Sequence, residues 1–99
     1  MLLFIHSNYR DSIQLQDIAD AANVSEGECC RCFKNMVRKS PIQYVIDYRI
    51  SKATELLMDT ERSVTEIAEE TGFPDTSHFI KYFKRKMGTT PKEYRRISG

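Results

Sequence analysis

Four cations in two matched pairs, Arg31 with Lys81 and Lys34 with Lys84, are the side chains of this chain best suited to meet a ligand. Arginine presents a planar fork of donors that fits the O6/N7 edge of guanine, whereas lysine offers a point charge suited to guanine or phosphate. Arg31 and Lys81 fall nearer the start of their helices and are candidates for base edges; Lys34 and Lys84 lie farther along, where phosphate is the expected partner. Glu26, Gly27 and Cys30 accompany Arg31, and Thr76, Ser77 and Ile80 accompany Lys81. Thr76, Ser77 and Ile80 can add polar contacts or touch a thymine methyl, while Gly27 offers no side chain and Glu26 can only accept, as from a cytosine amino group, or repel phosphate. The C-terminal set is therefore expected to be the stronger reader. A second chemistry is suggested by Cys29, Cys30 and Cys32, which include one C-x-x-C. All three fall on one helix, and no second Cys/His cluster completes a four-ligand metal site, since His6 and His78 stand apart with no evident carboxylate partner. Cys29 and Cys32 fall on an apolar stripe, where a thiol acts as a small hydrophobe, and Cys30 falls on the outward stripe beside Arg31. A helical protein-interaction module carrying a cysteine redox switch is thus the alternative reading.

The elements that must hold these side chains are written twice. Ile18-Ala19 matches Ile67-Ala68 and Asn23 matches Gly72 at one offset; Phe33-Lys34 matches Phe83-Lys84, Ser40-Pro41 matches Thr90-Pro91 and Tyr44 matches Tyr94 at an offset one larger. Each copy reads as a short helix, a tight turn and a second helix, and two copies suggest two contacts with a ligand that itself repeats, such as DNA. Helix starts are marked by Ser or Thr followed three residues later by Glu or Gln: Ser25 to Glu28, Ser40 to Gln43, Ser63 to Glu66 and Thr90 to Glu93. Pro41 and Pro91 reinforce two of them, and Asp75 caps another. The expected helices are 2–9, 15–22, 26–37, 41–58, 64–71, 75–87 and 91–97, with no strand, an all-α chain of two helix-turn-helix modules (1–40 and 59–99) joined by a linker helix (41–58). Asn23 and Gly72 suit a turn residue at positive φ. Gly88 suits the end of the second helix in copy two, whereas its counterpart Arg38 suggests that copy one closes that corner differently.

Helical spacing divides inside from outside. Phe79, Tyr82, Phe83 and Met87 form one apolar face, and Cys29, Cys32, Phe33 and Val37 are its counterparts. The linker is expected to bury Ile42, Ile46, Ile50, Ala53 and Leu57, with Arg49 as an ion-pair partner to a nearby acid-rich helix. A helix of that length spans roughly 25 Å, which with the width of the modules brings two reading helices near the roughly 34 Å of one DNA turn.

With 99 residues the chain is one domain by length, and its core is expected to be shared between the copies. Net charge is only +1, but its distribution is one-sided. Lys81, Lys84, Arg85, Lys86, Lys92, Arg95 and Arg96 crowd the end of copy two; Arg31, Lys34, Arg38, Lys39 and Arg49 crowd copy one; acids gather at Asp17, Asp20 and from Glu55 to Glu70. No apolar run approaches a membrane span and no signal peptide is evident, so a cytoplasmic protein is expected. No nucleophile, base and orienter recur at usable spacing, and no phosphate-cradling glycine loop appears, so no enzyme and no cofactor are expected.

Taken together, these residues resemble the DNA-binding domain of the AraC/XylS family of bacterial transcription regulators. The resemblance covers nearly the whole chain: Leu15-Gln16-Asp17-Ile18-Ala19, Val24-Ser25, Arg31-Cys32-Phe33-Lys34, Arg49-Ile50, Val64-Thr65-Glu66-Ile67-Ala68, Gly72-Phe73-Pro74-Asp75-Thr76-Ser77-His78-Phe79, Phe83-Lys84-Arg85 and Gly88-Thr89-Thr90-Pro91-Lys92-Glu93-Tyr94-Arg95. It implies seven helices, DNA contacts from Gly27, Cys30, Arg31, Thr76, Ser77, Ile80 and Lys81, a separate N-terminal effector-binding or dimerisation domain ahead of this one, and in some members a contact with RNA polymerase. Departures cluster in copy one: Cys29 for a larger apolar residue, Gly27 with Glu26 and Glu28 on the reading side, and Arg38 for a glycine.

Overall fold

A computed structural model describes residues 1–98, and among them the chain is all-helical: α1 Leu2–Asn8, α2 Leu15–Ala21, α3 Glu26–Val37, α4 Pro41–Asp59, α5 Val64–Glu70, α6 Thr76–Met87 and α7 Pro91–Ser98. The starts follow the capping chemistry. Ser25 and Glu28, Ser63 and Glu66, and Thr90 and Glu93 form reciprocal boxes in which each side chain satisfies a backbone N–H of the first turn. The box expected at α4 is only half formed: the Ser40 hydroxyl accepts from Gln43 N, but the Gln43 amide turns away and donates to Asp47 at 2.9 Å. At α2 a start of the same kind forms without Ser or Thr: Gln14 N donates to Asp17 Oδ2 at 2.8 Å.

Asn23 and Gly72 both adopt positive φ, 56° and 89°, and the turns they make are closed alike: Val24 N donates to Ala19 O and Phe73 N to Ala68 O, each at 3.0 Å. Contrary to expectation, copy one also closes its second corner as copy two does. Arg38 takes the left-handed conformation at φ 59°, with its N–H on Lys34 O, just as Gly88 at φ 82° donates to Lys84 O. The hydrogen bond and the trajectory into Ser40-Pro41 outweigh a conformational cost of about 1 kcal/mol.

The core is not one shared pool. Ile5, Ile18, Ala19, Cys29, Phe33 and Val45 form one buried cluster; Ile50, Ala53, Leu57, Ile67, Ala68, Phe73, Phe79 and Phe83 form another. Helix α4 serves both, one half to each, and the particle measures 42 × 22 × 21 Å. The buried line of α4 is also rotated from the one expected. Pro41, Val45, Arg49, Ala53 and Leu57 recur every four residues and are buried together with Ile50, whereas Ile42 stays 38% exposed. Because the N-terminal half of α4 must face copy one, its contact stripe swings onto Val45. Among the described residues Arg49 forms no ion pair: Nε donates to Tyr9 O and a terminal nitrogen to Asp11 O, both at 2.8 Å, so backbone carbonyls satisfy its fork. Burial lowers its pKa from the ordinary arginine value.

Candidate nucleic-acid interface

Helices α3 and α6 are anchored from below by aromatic packing. Phe79 and Phe83 are fully buried, 5.7 Å apart and edge to face, and Phe83 meets Tyr94 of α7 at 5.5 Å. Phe33 is the equivalent anchor in copy one and meets Tyr44 at 5.8 Å. With these faces turned inward, the opposite stripes must face solvent. Arg31 and Lys34 on α3 and Ser77, Ile80, Lys81 and Lys84 on α6 are exposed; Cys30 and Thr76 are half-buried at the edge of the same stripes. Among the described residues, none of Arg31, Lys34, Lys81 and Lys84 forms an ion pair. Their charges therefore remain available to an external anion.

Several other cations of the two basic runs are spoken for. Lys39 and Lys86 both pair with Asp47 on α4, and Arg95 donates to the carbonyls of Leu57 and Thr60 at 3.1 Å each. Arg85 lies over the Tyr82 ring at 5.7 Å. The outward field thus rests on fewer residues than the charge runs suggest.

The two helix starts differ in electrostatics. At α3, Glu26 and Glu28 sit exposed in the first turn; Glu28 is held by Ser25, while Glu26 is the unclaimed acid expected from the sequence. The bare Gly27 face is not vacant, because the Arg31 guanidinium lies 3.8 Å from where a Cβ at 27 would stand. Arg31 is thus folded back toward the helix start, near the base-reading end. At α6 no acid lies in the first turn, and the cap is Asp75, whose carboxylate accepts from His78 N at 2.8 Å and meets His78 Nδ1 at 3.0 Å. The His78 backbone N–H, followed by its ring, holds the Asp75 carboxyl below the usual carboxylate range. Contrary to expectation, His78 therefore has a carboxylate partner, which the Asp75-x-x-His78 spacing signals. It also stacks beside Tyr82 at 6.5 Å.

Asn35 and Arg38 line one open cleft of about 380 Å³ with Lys34. Arg38, exposed at the left-handed residue that ends α3, adds a cation next to Lys34. Cys29 is buried with its Sγ 3.7 Å from Met1 Sδ, and burial pushes its thiol up from the ordinary value. Cys32 is exposed instead of lying in the core. Its counterpart Tyr82 reaches Phe73 at 6.4 Å, but the matching pair in copy one is Cys32 and Val24, both too short to close that gap. Met87 at 37% exposed likewise lies at the rim and not in the core.

A helix-turn-helix domain family matches residues 18–97. The uncharacterized HTH-type transcriptional regulator YdeC of Bacillus subtilis (strain 168) is 46% identical over 98 residues, covering 99% of this chain and 34% of that protein. The melibiose operon regulatory protein of Escherichia coli (strain K12) is 31% identical over 98 residues, covering 99% of this chain and 32% of that protein. The chain thus spans about a third of the length of the curated relatives it matches. Among solved structures, the C-terminal domain of the two-component response regulator yesN from Fusobacterium nucleatum superposes with a TM-score of 0.89 at 34% identity, covering 95% of this chain and 92% of that one. The DNA-binding domain of the global transcriptional factor AdpA, in complex with a target DNA, superposes with a TM-score of 0.93 at 25% identity, covering 97% and 86%. What the matching turns at Asn23 and Gly72 suggested, these likenesses establish: the chain belongs to the helix-turn-helix DNA-binding domains of the AraC/XylS family of transcription regulators.

Proposed function

We propose that residues 1–99 act as one sequence-specific DNA-binding domain, with 1–40 and 59–99 as reading modules and 41–58 as their spacer. Helices α3 and α6 enter successive major grooves on one face of the duplex. The observation that carries this reading is the repetition, on two equivalent helices, of cations that form no ion pair among the described residues and stand at equivalent outward positions: Arg31 with Lys81, and Lys34 with Lys84. The 19 residues of α4 give a spacer of about 28 Å, compatible with the roughly 34 Å between successive grooves once the modules' width is added. Arg31 and Lys81 are assigned to base edges with Cys30, Thr76, Ser77 and Ile80 around them; Lys34 and Lys84 are assigned to phosphate, and we add Arg38 to that set. Glu26 and the bare Gly27 make the first module the weaker reader.

Family members are transcription regulators, and relatives are about three times longer than this chain. We therefore assign it to a regulator acting in the bacterial cytoplasm with an effector-binding or dimerisation domain beside it. A contact with RNA polymerase through the acidic segment has less support, because Glu55, Glu66 and Glu70 are engaged by Lys52, Ser63 and Arg62. The test is fluorescence anisotropy on a pooled random-sequence duplex across a salt series, with Lys81→Ala and Arg31→Ala alongside. Affinity is expected to fall steeply with salt, and Lys81→Ala to weaken binding more than Arg31→Ala. No duplex binding at low salt overturns the function; the reverse order of the two variants overturns the ranking of the modules.

A further inference from the structure

Two modules with separate cores at opposite ends of one helix would be held in register by that helix alone unless something else ties them. The turn of the second module supplies a tie. A Cβ built on Gly72 would stand 2.3 Å from the Tyr9 carbonyl oxygen, 3.0 Å from Arg49 Nε and 3.1 Å from the Arg10 carbonyl carbon. Tyr9 and Arg10 belong to the loop between α1 and α2 in the first module, so Gly72 seats the second module's turn directly on the first module's backbone. Arg49 closes the same joint. From α4 it donates to Tyr9 O and Asp11 O on one side, and its guanidinium lies 5.9 Å from the centroid of Phe73, the residue after Gly72, on the other.

The repeat separates two reasons for a glycine. Asn23, at the equivalent turn of copy one, also has positive φ yet carries a side chain, and it is exposed. Positive φ therefore does not by itself demand glycine at this turn; the close approach to Tyr9 does. A second tie lies at Asp47, which pairs with Lys39 after α3 and, at 3.7 Å, with Lys86 near the end of α6. The Asp47 side chain is only 12% exposed, while the two lysines reach it from the surface. Together with α4, these ties leave little freedom for one reading helix to rotate against the other.

We propose that Gly72 and Arg49 are positioning residues for DNA recognition: the joint they build fixes the mutual orientation of α3 and α6, so that the domain accepts two half-sites at one spacing only. This deepens the two-groove reading and rests on it. One added base pair turns a half-site by about 35° relative to its neighbour, which a rigid pair of helices cannot follow and a hinged pair can.

The experiment has two arms. Amide residual dipolar couplings are measured on the unbound protein, wild type, Gly72→Asn and Arg49→Met. Gly72→Asn installs the residue that copy one already carries at this turn, so it keeps positive φ accessible while blocking the close approach. Wild-type couplings from both modules are expected to fit one alignment tensor, and those of each variant to require two. In the second arm, a duplex site selected by wild type from a random pool is lengthened by one base pair between its half-sites. Wild type is expected to lose at least about tenfold in affinity, the scale of a lost base contact, and the variants to lose several-fold less. One tensor for both variants, or an undiminished spacing penalty in them, overturns the proposal. If wild type binds no duplex, the two-groove reading has failed, and with it the role in recognition, while the couplings still decide whether the joint holds the modules. Should Gly72→Asn leave the second module unfolded, Arg49→Met decides both arms.

Discussion

Arg31 and Lys81 hold equivalent places on equivalent helices, yet their neighbours differ in charge. Glu26 shares the first module's outward side with Arg31, whereas the first turn of α6 contains no acid. Glu26→Gln is accordingly expected to strengthen low-salt binding to a random duplex a few-fold, read by anisotropy, because a carboxylate is removed from a surface that must approach phosphate. The cysteines give a second residue-scale expectation. Cys30 and Cys32 are at least partly accessible, while burial both shields Cys29 and raises its thiol pKa. A thiol-specific reagent at neutral pH is expected to label two cysteines readily in the folded protein and the third only on unfolding. Spacing placed Phe33, Phe79 and Phe83 in the core without error, since they sit at the centre of the apolar stripe. It misjudged Cys32 and Met87 at the stripe's edge, where a neighbour's size decides whether a side chain is covered.

At the scale of elements, local chemistry accounts for nearly every boundary. Capping boxes, N1 prolines and residues tolerant of positive φ act within four residues of the helix ends they define, so sequence reveals them directly. Ser63→Ala is expected to cost about 1 kcal/mol in urea denaturation, through the orphaned first turn of α5. Arg38→Gly is expected to gain up to about 1 kcal/mol by relieving a left-handed arginine, and at the same time to weaken duplex binding by removing a cation next to Lys34. A variant that gained stability with no loss of binding would separate Arg38 from the phosphate set. Gln43 shows where local reasoning stops: the pattern marked it as a capping partner, but Asp47 one turn later competes for its amide and wins.

For the whole molecule, the two buried clusters predict separable stability. Phe33→Ala and Phe79→Ala should each cost about 3–5 kcal/mol. In native-state hydrogen exchange, each is expected to reduce protection chiefly within its own module and the half of α4 packed on it. Asp47 adds a pH dependence. Burial pushes its carboxyl up, but hydrogen bonds from Lys39 and Gln43 and the charges of Lys39 and Lys86 outweigh burial and hold it below the ordinary value. A depressed folded pKa contributes stability above the unfolded value of about 3.9 that is lost as pH falls through the folded one. The melting advantage of wild type over Asp47→Asn should therefore be present at pH 6 and shrink as pH falls below about 4. Helices, the turns at Asn23 and Gly72, the repeat and the matched outward cations were determined by sequence alone, because capping, backbone preference and 3.6-residue spacing are properties of neighbours along the chain. Whether the cores merge, which stripe of α4 is buried, and what Arg49, Asp47 and Gly72 touch were decided only by tertiary structure. Arg49 meets a carbonyl 40 residues away, and no local rule says which groups distant segments will bring to a buried side chain.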